Sequence, residues 1–363
     1  MRYRIEKSSE KPVYIQIYEQ LRSDIVRGAY PYNGRLPSKR LLSEELGVSV
    51  VTVEHTYSLL CDEGYAEARE RSGYFVSYRE SDSFNVIDFQ PAHRLVEENS
   101  AELANDFPFS VFAKTMRRVL SEYREAILVK SPNSGCPELK EALVHYLVRS
   151  RGINVSPEQI VIGSGAEYLY GLIVQLLGRE RKYAIENPSY EKIGMVYRAN
   201  GIDCDPLMLG HDGIRSEELA RTDASVLHIS PYRSFPSGVT ASASKRREYI
   251  NWASADGRFI IEDDFESEFA LSSKPEETVF SLSENDNIIY LNTFSKTIAP
   301  SIRIGYMVLP HGMTELFAEK IGFYSCTVPT FEQYVLAEFI QSGDFERHIN
   351  RVRRRKRKLL AQT

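Results

Sequence analysis

Apolar residues near the N-terminus recur at helical spacing. Ile17, Leu21 and Ile25 mark one face of a helix over Tyr14 to Ile25, and Gly28 stops it. Leu36-Pro37-Ser38 then offers Ser38 as an N-cap, and Leu41, Leu42 and Leu46 carry an apolar face to Gly47. Ser49 is the expected cap of a third helix, over Val50 to Glu63. Two helices joined by a tight turn predict a helix-turn-helix. Beyond them, Tyr65-Ala66-Glu67-Ala68 and Tyr74-Phe75-Val76-Ser77 flank a turn with Gly73, the pattern of a β-hairpin wing.

From about Asp88 the pattern changes. Helical stretches alternate with short β-rich runs such as Gln159-Ile160-Val161-Ile162, Ser225-Val226-Leu227-His228-Ile229, Arg258-Phe259-Ile260-Ile261 and Asn287-Ile288-Ile289-Tyr290-Leu291. This alternation predicts an α/β domain, a mostly parallel sheet with helices on both faces. The stretch 79–87 is polar at first and reads as a linker. The expected organisation is a helix-turn-helix head over 1–78, the linker 79–87, and a larger domain over 88–363.

A length of 363 residues suits two or three domains. The net charge of −5 means that any nucleic-acid surface must be local. Four scattered cysteines show no metal-ligand spacing and no disulfide framework, so no metal is expected. Met1 to Lys11 is charged and lacks the apolar stretch of a signal peptide. No run reaches the roughly 18 apolar residues of a membrane span. The expectation is a cytoplasmic protein without membrane contact. The basic run Arg351–Lys358 reads as a solvated helix face.

The strongest chemical signal is Asn292-Thr293-Phe294-Ser295-Lys296-Thr297, which follows a β-rich run. A lysine amine, once neutral, forms an imine with an aldehyde. Arg303, seven residues on, can neutralise a phosphate, and Thr293 and Ser295 add hydroxyl donors. Taken alone, a Ser-Lys pair is far more often an ordinary surface lysine. Two other segments change that balance. Ile261-Glu262-Asp263-Asp264-Phe265 follows a strand, and a buried Asp keeps the ring nitrogen of pyridoxal phosphate protonated. Asp263 is the choice because it follows the strand directly; a solvated acidic loop is the other reading. Gly163-Ser164-Gly165-Ala166-Glu167 joins a strand to an apolar helix, a turn that aims backbone N–H groups at a phosphate.

Residues 12–78 resemble the GntR-type winged-helix regulators. The resemblance is carried by Tyr14-Ile15-Gln16-Ile17, Leu36-Pro37-Ser38-Lys39-Arg40, Leu46-Gly47-Val48-Ser49, Thr52-Val53 and Glu63-Gly64-Tyr65 in that order and spacing. It implies that the third helix enters the major groove of double-stranded operator DNA. The implied DNA-facing residues are Arg40, Ser49, Thr52 and His55, with Arg69, Arg71 and Gly73 in the wing. The family usually has a basic residue where Val50 stands, so a phosphate contact is lost there.

The rest of the chain resembles the fold type I aminotransferase superfamily, and most closely the MocR/GabR group that fuses it behind a GntR-type head. Glu186-Asn187-Pro188-Ser189-Tyr190, Ser230-Pro231 with Phe235-Pro236-Ser237-Gly238, Glu262-Asp263-Asp264, and Ser295-Lys296 with Pro300 and Arg303 carry this resemblance. It implies pyridoxal 5'-phosphate as cofactor, with Lys296 as the imine lysine and Asp263 as the pyridinium partner. Tyr190 would stack on the ring, and Gly165, Ala166, Thr293, Ser295 and Arg303 would hold the phosphate. A homodimer is implied too. Phe265 replaces the usual Tyr, Arg233-Ser234 the usual His-Gln pair, and Lys192 an Arg common in related proteins. The family's C-terminal small domain continues past the helix that Phe345 to Leu360 begins, and most of that domain, with its carboxylate-binding arginine, is expected to be missing here. The implied function is a transcription regulator sensing an amino compound or the cofactor itself. An aminotransferase with an accessory head is the alternative.

Overall fold

A computed structural model gives the structure of the chain and describes residues 3–6, 11–79, 107–265, 267–270 and 277–360. The chain forms two compact units, residues 1–97 and 98–363. Most of the expected linker, residues 80–87, and the start of the larger domain, residues 88–106, lie outside the described residues.

The head contains α1 (Val13–Val26), α2 (Lys39–Leu46) and α3 (Val50–Asp62), then the hairpin of β1 (Ala66–Arg69) and β2 (Gly73–Val76). Local chemistry sets these bounds. Ser38 Oγ accepts from Leu41 N at 3.2 Å and starts α2, and Gly47 ends it at φ +66°, a left-handed conformation that glycine adopts without strain. Ser49 Oγ accepts from Thr52 N at 3.1 Å and starts α3. Ile17, Leu21, Ile25, Leu42, Val53, Tyr57 and Leu60 make the core of the head, and Tyr57 satisfies its hydroxyl by donating to Pro37 O at 2.6 Å. Arg35 bridges to Phe75 and adds a short third arm to the wing.

The second unit is built on a seven-stranded sheet. Its strands are β3 (Ile160–Gly163), β4 (Tyr183–Asn187), β5 (Cys204–Met208), β6 (Val226–Ile229), β7 (Phe259–Asp263), β8 (Ile288–Thr293) and β9 (Gly305–Val308), in the order β3-β9-β8-β7-β6-β4-β5. Only β9 runs against the others. The central strands are buried along their whole length, which is why their sequences read as continuous apolar runs. Helices α4 (Phe109–Tyr123), α5 (Pro137–Arg151), α6 (Ala166–Leu177), α7 (Glu191–Ala199), α8 (Ser216–Arg221), α9 (Ala243–Ala253), α10 (Val279–Leu282), α11 (Thr314–Ile321), α12 (Thr330–Gln341) and α13 (Asp344–Leu360) complete the unit. Separate apolar clusters cement α5 and α12, α6 and α11, and α9 to the sheet.

The basic run at the end of α13 is not wholly a solvated face. Arg353 Nε donates to Glu268 O at 2.6 Å, and the Lys356 ammonium lies 4.6 Å from the centre of the Phe269 ring. The stems of these long cations cover the loop beyond β7.

Candidate functional site

The parallel strands all end at one edge of the sheet, the edge where doubly wound folds place ligands. Gly163 closes β3, Asn187 β4, Ile229 β6, Asp263 β7 and Thr293 β8. Because β9 is antiparallel, Arg303 enters it from that same edge. The topology therefore gathers Gly165, Ala166, Tyr190, Asp263, Thr293, Ser295, Lys296 and Arg303 along one rim.

Asp263 is 2% exposed. Its Oδ2 accepts from the Tyr170 hydroxyl, which burial holds in the neutral, donating form. His228 Nε2 lies 3.6 Å from the same oxygen, and His228 Nδ1 is hydrogen-bonded to the Tyr197 hydroxyl at 2.6 Å. Asp263 Oδ1 is buried and has no hydrogen-bond partner among the described residues. An orphaned buried carboxylate oxygen is costly unless a ligand supplies a donor, and a protonated ring nitrogen is such a donor.

At the other end of the rim, Gly165 precedes α6 with φ +92°, and a Cβ there would meet Arg303 Nη2 at 3.0 Å. A Cβ on Gly305 would meet Gly165 Cα at 3.2 Å. The two glycines thus let backbone and guanidinium close on one another beside the N-terminal N–H groups of α6, where Ala166 begins the helix. Arg303 Nη2 pairs with Glu167 Oε2 at 2.9 Å, and Lys192 Nζ with Glu167 Oε1 at 3.0 Å. These cations, Lys192 foremost, hold the Glu167 carboxyl below its usual range. Thr293 Oγ1 accepts from Ser295 N at 3.0 Å, and Ser295 Oγ donates to Ile302 O at 3.1 Å. Both hydroxyls pin the turn that carries the exposed Lys296. Tyr190 caps the start of α7, with its ring edge-on to Phe235 at 6.1 Å between centroids.

The residues present fit pyridoxal phosphate: an acidic partner with an open oxygen, a glycine-lined anion corner with an arginine, and an amine between them. Tyr170, Tyr197, His228 and Glu167 were not picked out from the sequence. His228 carried a signal, a lone polar residue in the apolar run Val226-Leu227-His228-Ile229. Tyr170 carried none, because nothing in α6 marks which of its aromatics reaches a carboxylate.

The departures also have places. Ser234, standing where the family has Gln, donates to Glu186 Oε2 at 2.5 Å. Burial pushes the Glu186 carboxyl up to about 8 from its ordinary 4.5. The folded protein then keeps a proton at neutral pH that the unfolded chain has lost, so this group lowers stability as pH rises from about 4.5 to 8, with no further change above. Urea unfolding of Glu186→Gln is expected to show higher stability at pH 7 and a flatter profile over that window than the parent. An unchanged profile would remove Glu186 as the cause.

In the head, Arg40, Ser49, His55, Arg69, Arg71 and Gly73 are exposed and Thr52 is half-buried. The hydroxyls of Ser49 and Thr52 are 2.8 Å apart and help cap α3. Arg69 is clasped within the wing by Glu67 and Asn33, each at 2.6 Å, over the Phe75 ring. Arg71 sits in the hairpin turn with φ +57°.

Residues 13–76 match the model for bacterial regulatory proteins of the gntR family, and residues 99–362 the model for aminotransferase class I and II. YdeL of Bacillus subtilis (strain 168), an uncharacterized HTH-type transcriptional regulator, is 31% identical over 98% of this chain and 79% of its own. The probable rhizopine catabolism regulatory protein MocR of Rhizobium meliloti is 28% identical over 96% and 76%. The chain belongs to the MocR-type HTH transcriptional regulators. The aminotransferase-like part of this MocR-type chain also matches solved enzymes. A Pyrococcus horikoshii kynurenine aminotransferase is similar at 26% identity with a TM-score of 0.63. The match covers 69% of the MocR-type chain and 64% of the enzyme, a little under two thirds of its length. Among the described residues no helix is long and apolar enough to cross a membrane.

Proposed function

We propose that this protein is a DNA-binding transcription regulator that holds pyridoxal phosphate on Lys296 and adjusts its DNA affinity to that cofactor or to an amino compound reacting with it. The observation that carries the cofactor half is the buried, unpartnered Oδ1 of Asp263 at the same rim as the Gly165–Arg303 corner. When bound, pyridoxal phosphate supplies an aldehyde that condenses reversibly with amines. Asp263 would hold the proton on the ring nitrogen, with Tyr170 and His228 fixing its carboxylate. Arg303, Gly165, Ala166, Thr293 and Ser295 would receive the phosphate, and Tyr190 would cover the ring. Phe265 brings no hydroxyl to the site, which favours a sensing role over rapid turnover.

Homodimerisation is part of this reading. Leu128, Val129 and Phe323 are 81%, 65% and 68% exposed. Their segments are tied together by Asn133 Nδ2, which donates to Gly322 O at 2.8 Å. An apolar surface of this kind favours an interface. A two-fold dimer would present two heads to a palindromic operator.

The DNA half is tested by retention of a duplex from the region upstream of its own gene. Arg40→Ala with Arg71→Ala is expected to weaken binding to all duplexes and to lower the salt slope by about one for each phosphate contact removed. Unchanged affinity and slope would take these residues out of the interface.

A further inference from the structure

The exposed face of α3 runs through Val50, Val51, Glu54, His55 and Ser58, while Val53, Thr56, Tyr57 and Leu60 face the core of the head. The helix contains no Lys or Arg. Glu54 is engaged by Lys39 Nζ at 2.6 Å. His55 lies edge-on to Tyr14 with ring centroids 5.8 Å apart. The first turn therefore presents two adjacent branched apolar side chains to solvent, Val50 at 42% and Val51 at 59% exposure. A single exposed valine needs no explanation. Two of them leading the second helix of a helix-turn-helix do, because the N-terminal residues of that helix are the ones that meet base edges.

The head carries exposed cations outside α3, among them Arg35 before α2, Arg40 in α2 and Arg71 in the hairpin turn. That arrangement separates phosphate contact from base reading. In the major groove every base displays a donor or acceptor that a valine would leave unpaired, thymine its O4 among them. Thymine alone displays a methyl group that a valine can cover.

We propose that Val50 and Val51 read thymine methyl groups in the major groove and so set the sequence preference of this regulator. The inference rests on the reading of α3 as the helix that enters DNA. The intact protein is used to select duplexes from a randomised 20-base-pair pool (about two helical turns, room for two half-sites). Selected duplexes are then remade with deoxyuridine in place of thymidine, one position at a time.

The expected result is a loss of about fourfold in affinity for each read methyl, the worth of burying one CH2 group. In Val50→Ala with Val51→Ala that loss disappears, while the salt slope stays as in the parent. Val51→Thr, which keeps one methyl branch, retains part of it. Selected duplexes that bind equally well with uracil overturn the inference while leaving DNA binding intact. A uracil penalty of the same size in the double variant overturns it too. Failure of the parent protein to retain any duplex removes the DNA-binding reading itself, and the inference with it.

Discussion

On the proposed reading, Lys296→Ala is expected to abolish the visible absorbance that pyridoxal phosphate gives when joined to a lysine amine, and to leave the protein folded. The loss is expected to be complete, because the covalent link needs an amine at that place on the rim. Lys296 is exposed, in a turn whose conformation is held by Thr293, Ser295 and the backbone of Ile302. Removing an exposed side chain ordinarily costs within about 0.5 kcal/mol, so the melting temperature should barely move. Borohydride fixation followed by intact-mass measurement checks the site directly. The parent protein gains the mass of a reduced cofactor adduct and the variant does not. A variant that keeps the band carries the cofactor on another amine, and the role given to Lys296 falls.

Arg151→Met is expected to destabilise the aminotransferase-like unit by about 3–5 kcal/mol, the cost of breaking a buried ion pair from one side. Arg151 Nε lies 3.0 Å from Asp264 Oδ2, and both side chains are 4% exposed. Asp264 also accepts from the Tyr290 hydroxyl at 2.7 Å. Glu268 is buried beside them and takes Asn292 Nδ2 at 2.7 Å. Burial pushes the Glu268 carboxyl up, and Arg151 opposes that shift. Without the guanidinium, two buried carboxyls lose a cation that offsets their charge and keep the Tyr290 hydroxyl and the Asn292 amide. A fall of about 10 °C in the melting temperature is the corresponding observation. Asp264→Asn placed on top of Arg151→Met should recover part of the loss. A single variant that melts within a degree or two of the parent would show that the cluster contributes little.

Much of the fold was legible because local chemistry and tertiary demand agree. Ser38, Gly47 and Ser49 announced the helix ends of the head, and each performs that task. The buried strands β3, β6, β7 and β8 announced themselves as apolar runs. Strands β4, β5 and β9 did not stand out. Tyr183–Asn187 and Cys204–Met208 are short and carry polar residues or proline, and Gly305–Val308 starts on a glycine that exists for its close approach to Gly165. The rim itself was legible through motifs, residue by residue. Its support was not. The Tyr170–Asp263–His228–Tyr197 chain joins α6, β7, β6 and α7, and no spacing in sequence encodes such a meeting. The same holds for Arg151, which ends α5 and reaches Asp264 more than a hundred positions later.

On the proposed function, the cofactor site and the DNA-binding head communicate. Duplex affinity of the intact protein, measured at one fixed salt concentration with and without pyridoxal phosphate, tests it most directly. The account predicts a change of at least about fivefold, the lower end of ordinary allosteric coupling, that vanishes in Lys296→Ala. An affinity that ignores the cofactor in the parent protein, or that responds equally in Lys296→Ala, would contradict it.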